Sequence, residues 1–299
     1  MPLFTILGTD STVGRRLACE LRGHGHQVQT LSDDAAPGGH RALGHVVFAL
    51  APTDDPSPMS SASGPPPLDR LAGLLQGARF ESLLYVSSTC VYADGDRADE
   101  EAPLPLEPPD PSRLAWLIGE SMCLATQAPT VRVVRLAQVV SAEGDGGDGW
   151  VAQLGREAAH GRIVLRGSLQ SARDYVHIDD VVRMLPAIAM RGRHRLYNLA
   201  SGRQTTHAEW AERLVRRYGC RVEVVADAPL QRTAPIDITR LREEFGFTPW
   251  PALEVLPLPA ADRWMRAAAG PQPPMVHLPL HERTPRSRSL QAACSAYTR

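Results

Sequence analysis

The sequence predicts an α/β fold: a doubly wound parallel sheet followed by a smaller C-terminal lobe. Short apolar runs alternate with segments of helical period, the pattern of a parallel sheet covered on both faces. A glycine-containing turn joins the first run to the first helix. With 43% apolar residues over 299 positions, the chain can bury a substantial core.

The elements follow in order. Leu3 to Leu7 (LFTIL) reads as a buried strand, and Val13 to Leu21 carries helical spacing that ends at Gly23 and Gly25. Gln27 to Leu31, His45 to Leu50, Ser82 to Val86 and Thr130 to Leu136 are further strands. Leu68 to Leu75 and Pro111 to about Thr126 are helices. Ala51 to Pro67 is Pro- and Ser-rich and loops out, and a Gly/Asp stretch from Ala142 to Gly149 separates the two halves. Residues 263–299 form a Pro-, Arg- and Ser-rich tail whose composition predicts disorder.

All 32 basic side chains are arginine; the sequence contains no lysine. Net charge is −1, which argues against nucleic acid or a membrane surface as partner. Five cysteines lie far apart, as expected of a reduced, cytoplasmic protein without a zinc knuckle, and no metal-ligand spacing is present. The N-terminus runs straight into a strand, so no signal peptide is expected, and no apolar stretch is long enough to cross a bilayer. The expected partners are a small-molecule substrate and a second copy of the chain in a homodimer.

Gly8-Thr9-Asp10-Ser11-Thr12-Val13-Gly14 follows a strand and opens a helix. There, backbone N–H groups and the positive helix end point at a phosphate. Gly8 suits the tight turn and Gly14 the close packing of helix on strand. The middle glycine of a dinucleotide loop is replaced by Ser11, so the alternatives are a retained dinucleotide site and a plain turn that binds nothing. Asp33 and Asp34 end the second strand; an acid there holds ribose hydroxyls and favours NAD over NADP, or simply starts a turn. About ten residues then lead to His45, too few for a helix and another parallel strand. One strand of a standard Rossmann-like sheet is therefore expected to be missing.

Six segments together resemble the extended short-chain dehydrogenase/reductase family, in its NAD-dependent epimerase/dehydratase group. These are the 8–14 loop, Phe48-Ala49-Leu50-Ala51, Tyr85-Val86-Ser87-Ser88-Thr89-Cys90-Val91-Tyr92, Arg173-Asp174-Tyr175-Val176-His177-Ile178-Asp179-Asp180-Val181, Tyr197-Asn198-Leu199-Ala200-Ser201-Gly202, and Asp237 to Arg242 with Phe245 to Pro249. The resemblance implies a Rossmann-like dinucleotide-binding part over residues 1–140. A substrate-binding lobe mainly spans 141–262, with 173–200 returning to the main sheet. It implies NAD or NADP contacts from Gly8, Ser11, Thr12, Val13, Gly14, Asp33, Ala49 and Ala51.

The resemblance places the family's catalytic hydroxyl on Ser88, with Thr89 beside it. The family's catalytic tyrosine falls on Ser112 and its lysine on Trp116. A phenol near pKa 10 needs that lysine charge one turn away to act at neutral pH; serine and indole cannot replace the pair unaided. Ser112 either shares in the chemistry or caps the helix, and Trp116 either stacks on a cofactor ring or fills the core. Tyr92, Cys90, Asp94 and Glu120, the last on a helix flank, are candidate replacement acids or bases. Arg173 either binds a substrate phosphate, with Arg232 as a second contact, or pairs with Asp179 or Asp180. Gln138 falls where the family binds substrate through an asparagine, and Tyr175 and His177 position the chain.

The expected function is an atypical epimerase/dehydratase-like enzyme on a small polar or nucleotide-linked metabolite of a biosynthetic pathway. It would work by proton transfer, elimination or cyclisation. The alternatives are a catalytically silent nucleotide-binding or regulatory protein, and an NAD(P)-dependent sugar-nucleotide reductase or epimerase with a relocated acid.

Overall fold

A computed structural model describes residues 1–31, 42–49, 67–93, 95–105, 111–141, 149–231 and 233–254. Asp33, Asp34, Ala51, Asp94, Arg232 and the tail 263–299 lie outside the described residues.

The N-terminal half alternates β1 (Leu3–Leu7), α1 (Thr12–Gly23), β2 (Gln27–Leu31), β3 (His45–Phe48), α2 (Leu68–Gly77), β4 (Ser82–Ser88), α3 (Pro111–Ala125) and β5 (Val131–Leu136). All of these strands pair in parallel, in the order β2-β1-β3-β4-β5, and β9 (Leu196–Leu199) closes the far side against β5. β1 connects to β2 in one direction, while β3, β4 and β5 advance in the other. Right-handed crossovers therefore put α1 on one face and α2 and α3 on the other. β4 is buried along its whole length, as suits the apolar run Leu83–Val86 at its centre. Among the described residues β2 is the edge of this sheet.

The second half departs from simple alternation. β6 (Gln138–Val140) continues from the end of β5, and α4 (Trp150–Ala159) and β7 (Arg162–Leu165) follow. β8 (Ala172–His177) then pairs parallel with β6 and antiparallel with β10 (Gln204–Thr206) in a separate three-stranded sheet. α5 (Ile178–Arg191) returns to the large sheet and packs on β3, β4 and α1. α6 (His207–Tyr218) begins with a capping box in which Thr206 and Glu209 satisfy each other's backbone N–H groups. β11 (Arg221–Val224) pairs with β7, and α7 (Thr239–Phe245) ends the lobe. Leu154, Ile163, Leu165 and Leu214 form a core of their own between α4, α6 and β7. Gln231 and Thr233 are tied to the start of β8: Gln231 N–H donates to Ser171 Oγ at 3.0 Å and Thr233 Oγ1 to Ala172 O at 3.2 Å.

Candidate active site

β1 pairs with β2 on one side and β3 on the other, so the chain reverses its winding direction above β1. In open α/β sheets a crevice forms outside the carboxyl ends of the strands at that switch point. The loop after β1 lines it. Gly8 has φ +91°, a conformation that side chains rarely adopt. A Cβ on Gly14 would stand 2.1 Å from Gly8 O, so only glycine lets α1 pack this close. Ser11 caps α1: its Oγ accepts from Gly14 N–H at 3.0 Å and donates to Gly8 O at 2.7 Å. The hydroxyl is thus spent inside the loop. Ser11 N–H is also engaged, donating to Gly8 O at 3.1 Å. Of the four first-turn donors that a helix leaves without intrahelical partners, those of Thr12 and Val13 remain to meet an anion. Ala49, at the end of β3, is tied in through Ala49 N–H to Leu7 O at 3.0 Å. The residues present therefore fit a pyrophosphate at the head of α1, with two helix donors rather than a full glycine cradle.

Ser88 ends β4, two strands over from β1, about 10 Å away at the usual strand spacing. It is buried, and its Oγ accepts from Cys90 N–H at 3.1 Å. This bond orients the hydroxyl at the end of β4. Thr89 starts a single 3-10 turn, Thr89–Tyr92. Beneath this turn lies a polar chain. Ser87 Oγ donates to Glu120 Oε1 at 2.6 Å, and Arg135 grips both Glu120 oxygens, the shortest contact being 2.7 Å. Arg135 also donates to Tyr92 Oη at 2.9 Å, and Tyr92 donates to Asn198 Oδ1 at 2.7 Å. Burial pushes the Tyr92 phenol up to about 12 in spite of the guanidinium beside it.

Several expectations change here. Tyr92, a candidate acid, turns its hydroxyl into the protein interior and is 2% exposed. Glu120, expected on a helix flank, is the buried partner of Arg135 because α3 presents it to the sheet. Trp116 is 1% exposed and lies 6.2 Å from the Tyr85 ring; it is core packing. Ser112 sits exposed in the first turn of α3. Arg173 pairs with neither aspartate: Asp179 bonds Arg16, Asp180 bonds Arg183, and Arg173 donates to Gln231 Oε1 at 2.8 Å.

The lobe contributes a second cluster. Gln138 lies just past the end of β5, whose Leu136 is registered with Ser88, and it faces Tyr175 across the β6–β8 pair. Arg173 shares that face of β8, two residues from Tyr175. His207 is buried against Trp150, ring centroids 4.4 Å apart. Burial, with Arg173 nearby, lowers His207 to about 4. Among the described residues no three His, Cys, Asp or Glu side chains come together as metal ligands, and no helix is long and apolar enough to cross a membrane. The Ser87–Glu120–Arg135–Tyr92 chain was missed in the sequence. The pointer to it was Arg135 inside the apolar run Val131–Leu136, since a buried guanidinium needs hydrogen-bond acceptors that the packed elements must supply.

The doubly wound sheet with its switch-point crevice defines a Rossmann-like α/β fold. Residues 69–200 match the NAD dependent epimerase/dehydratase family, a span that contains the Tyr85–Tyr92 and Arg173–Val181 motifs. A dTDP-glucose 4,6-dehydratase from Streptomyces griseus is 34% identical over 93 residues, which spans 29% of this chain and 28% of that enzyme's length. Solved structures share the fold at low identity. The NAD-dependent NDP-hexosamine 5,6-dehydratase TunA superposes with TM-score 0.70 at 19% identity, covering 89% of this chain and 98% of its own. MoeE5 in complex with UDP-glucose and NAD gives 0.69 at 20%, covering 90% and 100%. The dTDP-glucose 4,6-dehydratase of Bacillus anthracis, in complex with NAD, gives 0.69 at 17%, covering 89% and 97%.

Proposed function

We propose that the chain is an NAD(P)-binding enzyme of the epimerase/dehydratase type acting on a nucleotide-linked sugar or a similarly small polar metabolite. The observation that carries the proposal is the placement of a buried, oriented Ser88 at the end of β4, beside a crevice headed by the 8–14 loop. Thr12 and Val13 N–H groups receive the cofactor pyrophosphate, and Ala49 bounds its other side. A bound nicotinamide supplies a hydride acceptor. Ser88 donates to the oxygen at the reacting carbon, with Thr89 adjacent. Gln138 contacts the substrate, and Arg173, held extended by Gln231, takes a phosphate through its fork. The resemblance of three neighbours that bind NAD, UDP-glucose or both, or that dehydrate nucleotide sugars, supports the substrate class.

Proton transfer follows a different route from the family's tyrosine and lysine. The sequence has no lysine, Ser112 is exposed, and Trp116 is buried. Elimination, epimerisation or cyclisation, in which a donor holds the oxygen while a proton leaves carbon, asks less of such a site than net carbonyl reduction. Titration calorimetry with NAD and NADP tests the first half of the proposal: no binding of either rejects it. UDP-glucose and dTDP-glucose, with product masses followed for loss of water, test the second. Ser88→Ala is expected to cut turnover about 100-fold, the size of a lost transition-state donor; unchanged turnover removes Ser88 from the mechanism. The rival reading is a nucleotide-binding protein without turnover. It is favoured by Trp116 filling the lysine position, and it predicts NAD binding with no product from any sugar nucleotide.

A further inference from the structure

The stretches on either side of Ser88 and Thr89 are fastened to the same buried ion pair. Ser87 bonds Glu120, Tyr92 bonds Arg135, and the pair itself is closed at 2.7 Å with each side chain only 4% exposed. Arg135 also stacks its guanidinium over the Tyr92 ring, 4.8 Å from the centroid. Such a pair is costly to desolvate, and an apolar substitute of equal volume is often as stable. Stability alone therefore does not account for it. What it does is join β4, α3, β5 and the turn after Ser88 at one point.

That turn needs holding. A single 3-10 turn has poor hydrogen-bond geometry, and this one ends at Ala93 with φ +47° and ψ −134°, which a non-glycine residue adopts only under constraint. Within the turn Cys90 N–H donates to Ser88 Oγ and Ala93 N–H to Cys90 O. The Tyr92 hydroxyl, bridging Arg135 and Asn198, supplies the anchor from below. Asn198 in turn donates to the carbonyls of Ala98 and Asp237 at 3.0 and 2.9 Å, so the anchor reaches the segment leading into α7.

We infer that Tyr92, Glu120 and Arg135 are positioning residues that clamp the Ser88–Thr89 hydroxyls at the edge of the crevice. The inference deepens the proposed role of Ser88 and rests on it for its kinetic consequence, while the clamp itself is testable without any substrate. Tyr92→Phe keeps the ring and removes the bridging oxygen. Amide hydrogen exchange of Cys90 and Ala93 is then expected to quicken about tenfold, as for one lost hydrogen bond, with the β4 amides of Leu84 to Val86 unchanged. Ser87→Ala, which cuts the other anchor without touching the turn, gives the same pattern. Unchanged exchange at Cys90 and Ala93 in both variants, or faster exchange throughout β4, overturns the clamp.

The kinetic arm is a double-mutant cycle. On a sugar nucleotide that the protein turns over, Tyr92→Phe lowers kcat about tenfold and leaves KM and NAD affinity unchanged. Added to Ser88→Ala, it costs nothing further. An equal loss in the Ser88→Ala background means Tyr92 acts elsewhere and overturns the inference. If the unaltered protein turns over no sugar nucleotide, the proposed function fails, and the exchange measurement still decides the clamp.

Discussion

Asp174 and His207 lie in the same lobe and respond to acid in opposite senses. Asp174 Oδ1 accepts from the N–H and Oγ of Ser201, while its Oδ2 is buried without a partner. Burial raises its carboxyl from 3.8 to about 6. The folded state then binds the proton more tightly than the unfolded chain. That contribution to stability is full below about pH 4 and is lost as pH rises through 6. His207 is the reverse case: lowered to about 4, it stays neutral in the fold. Its contribution is full above its unfolded value of 6.5 and is lost as pH falls toward 4. Each is worth roughly 3 kcal/mol, so they nearly cancel between pH 4 and 6.5. Asp174→Asn should uncover stability that rises across this window, and His207→Gln stability that falls. Urea midpoints at pH 4.5 and 7 measure both, provided the m-values match.

The arginines do structural work at the scale of whole helices, for which lysine is poorly shaped. Arg195 spreads its fork over the carboxyl end of α3, donating to Cys123 O at 2.7 Å and Leu124 O at 2.9 Å, while its Nε donates to Val131 O at the start of β5 at 3.1 Å. Arg132 does the same for α5, donating to Ala189 O and Gly192 O at 3.0 and 2.8 Å. These bonds satisfy carbonyls that a helix end leaves open, and a cation suits that end of the dipole. A lysine offers one point charge instead of a planar fork. Arg195→Lys is therefore expected to cost about 1–2 kcal/mol of unfolding free energy, seen in chemical denaturation. In the central strand, Leu84→Ala removes a fully buried side chain and should cost about 2–5 kcal/mol. At this scale the first half was readable. LFTIL, the 27–31 run and α3 from Pro111 follow directly from period, glycines and a helix-starting proline. β6, β8 and β10 were not, because three- to six-residue strands in a side sheet carry no period that separates them from loops.

For the molecule as a whole, the proposed cofactor site makes a thermodynamic prediction. A ligand that binds only the folded state stabilises it by RT ln(1 + [L]/Kd), about 2.7 kcal/mol at one hundred times Kd. Saturating NAD should raise the unfolding midpoint accordingly, and Ser11→Gly, which removes the hydroxyl cap from Gly14 N–H and so releases that donor, should increase the rise. No shift with NAD or NADP in either protein counts against a cofactor at α1. The sequence alone determined the α/β class, the winding of the large sheet and the ordered set of motifs along it. Those features depend on local period, on glycine at Gly8 and Gly14, and on residues adjacent in the chain. Tertiary structure decided which side chains meet. It turned Tyr92 inward, buried Glu120 under Arg135, made Trp116 core and gave Arg173 to Gln231 rather than to an aspartate. Those outcomes depend on contacts between residues 15 to 106 positions apart, where burial makes any charge or hydroxyl take whichever partner the packed elements bring within reach.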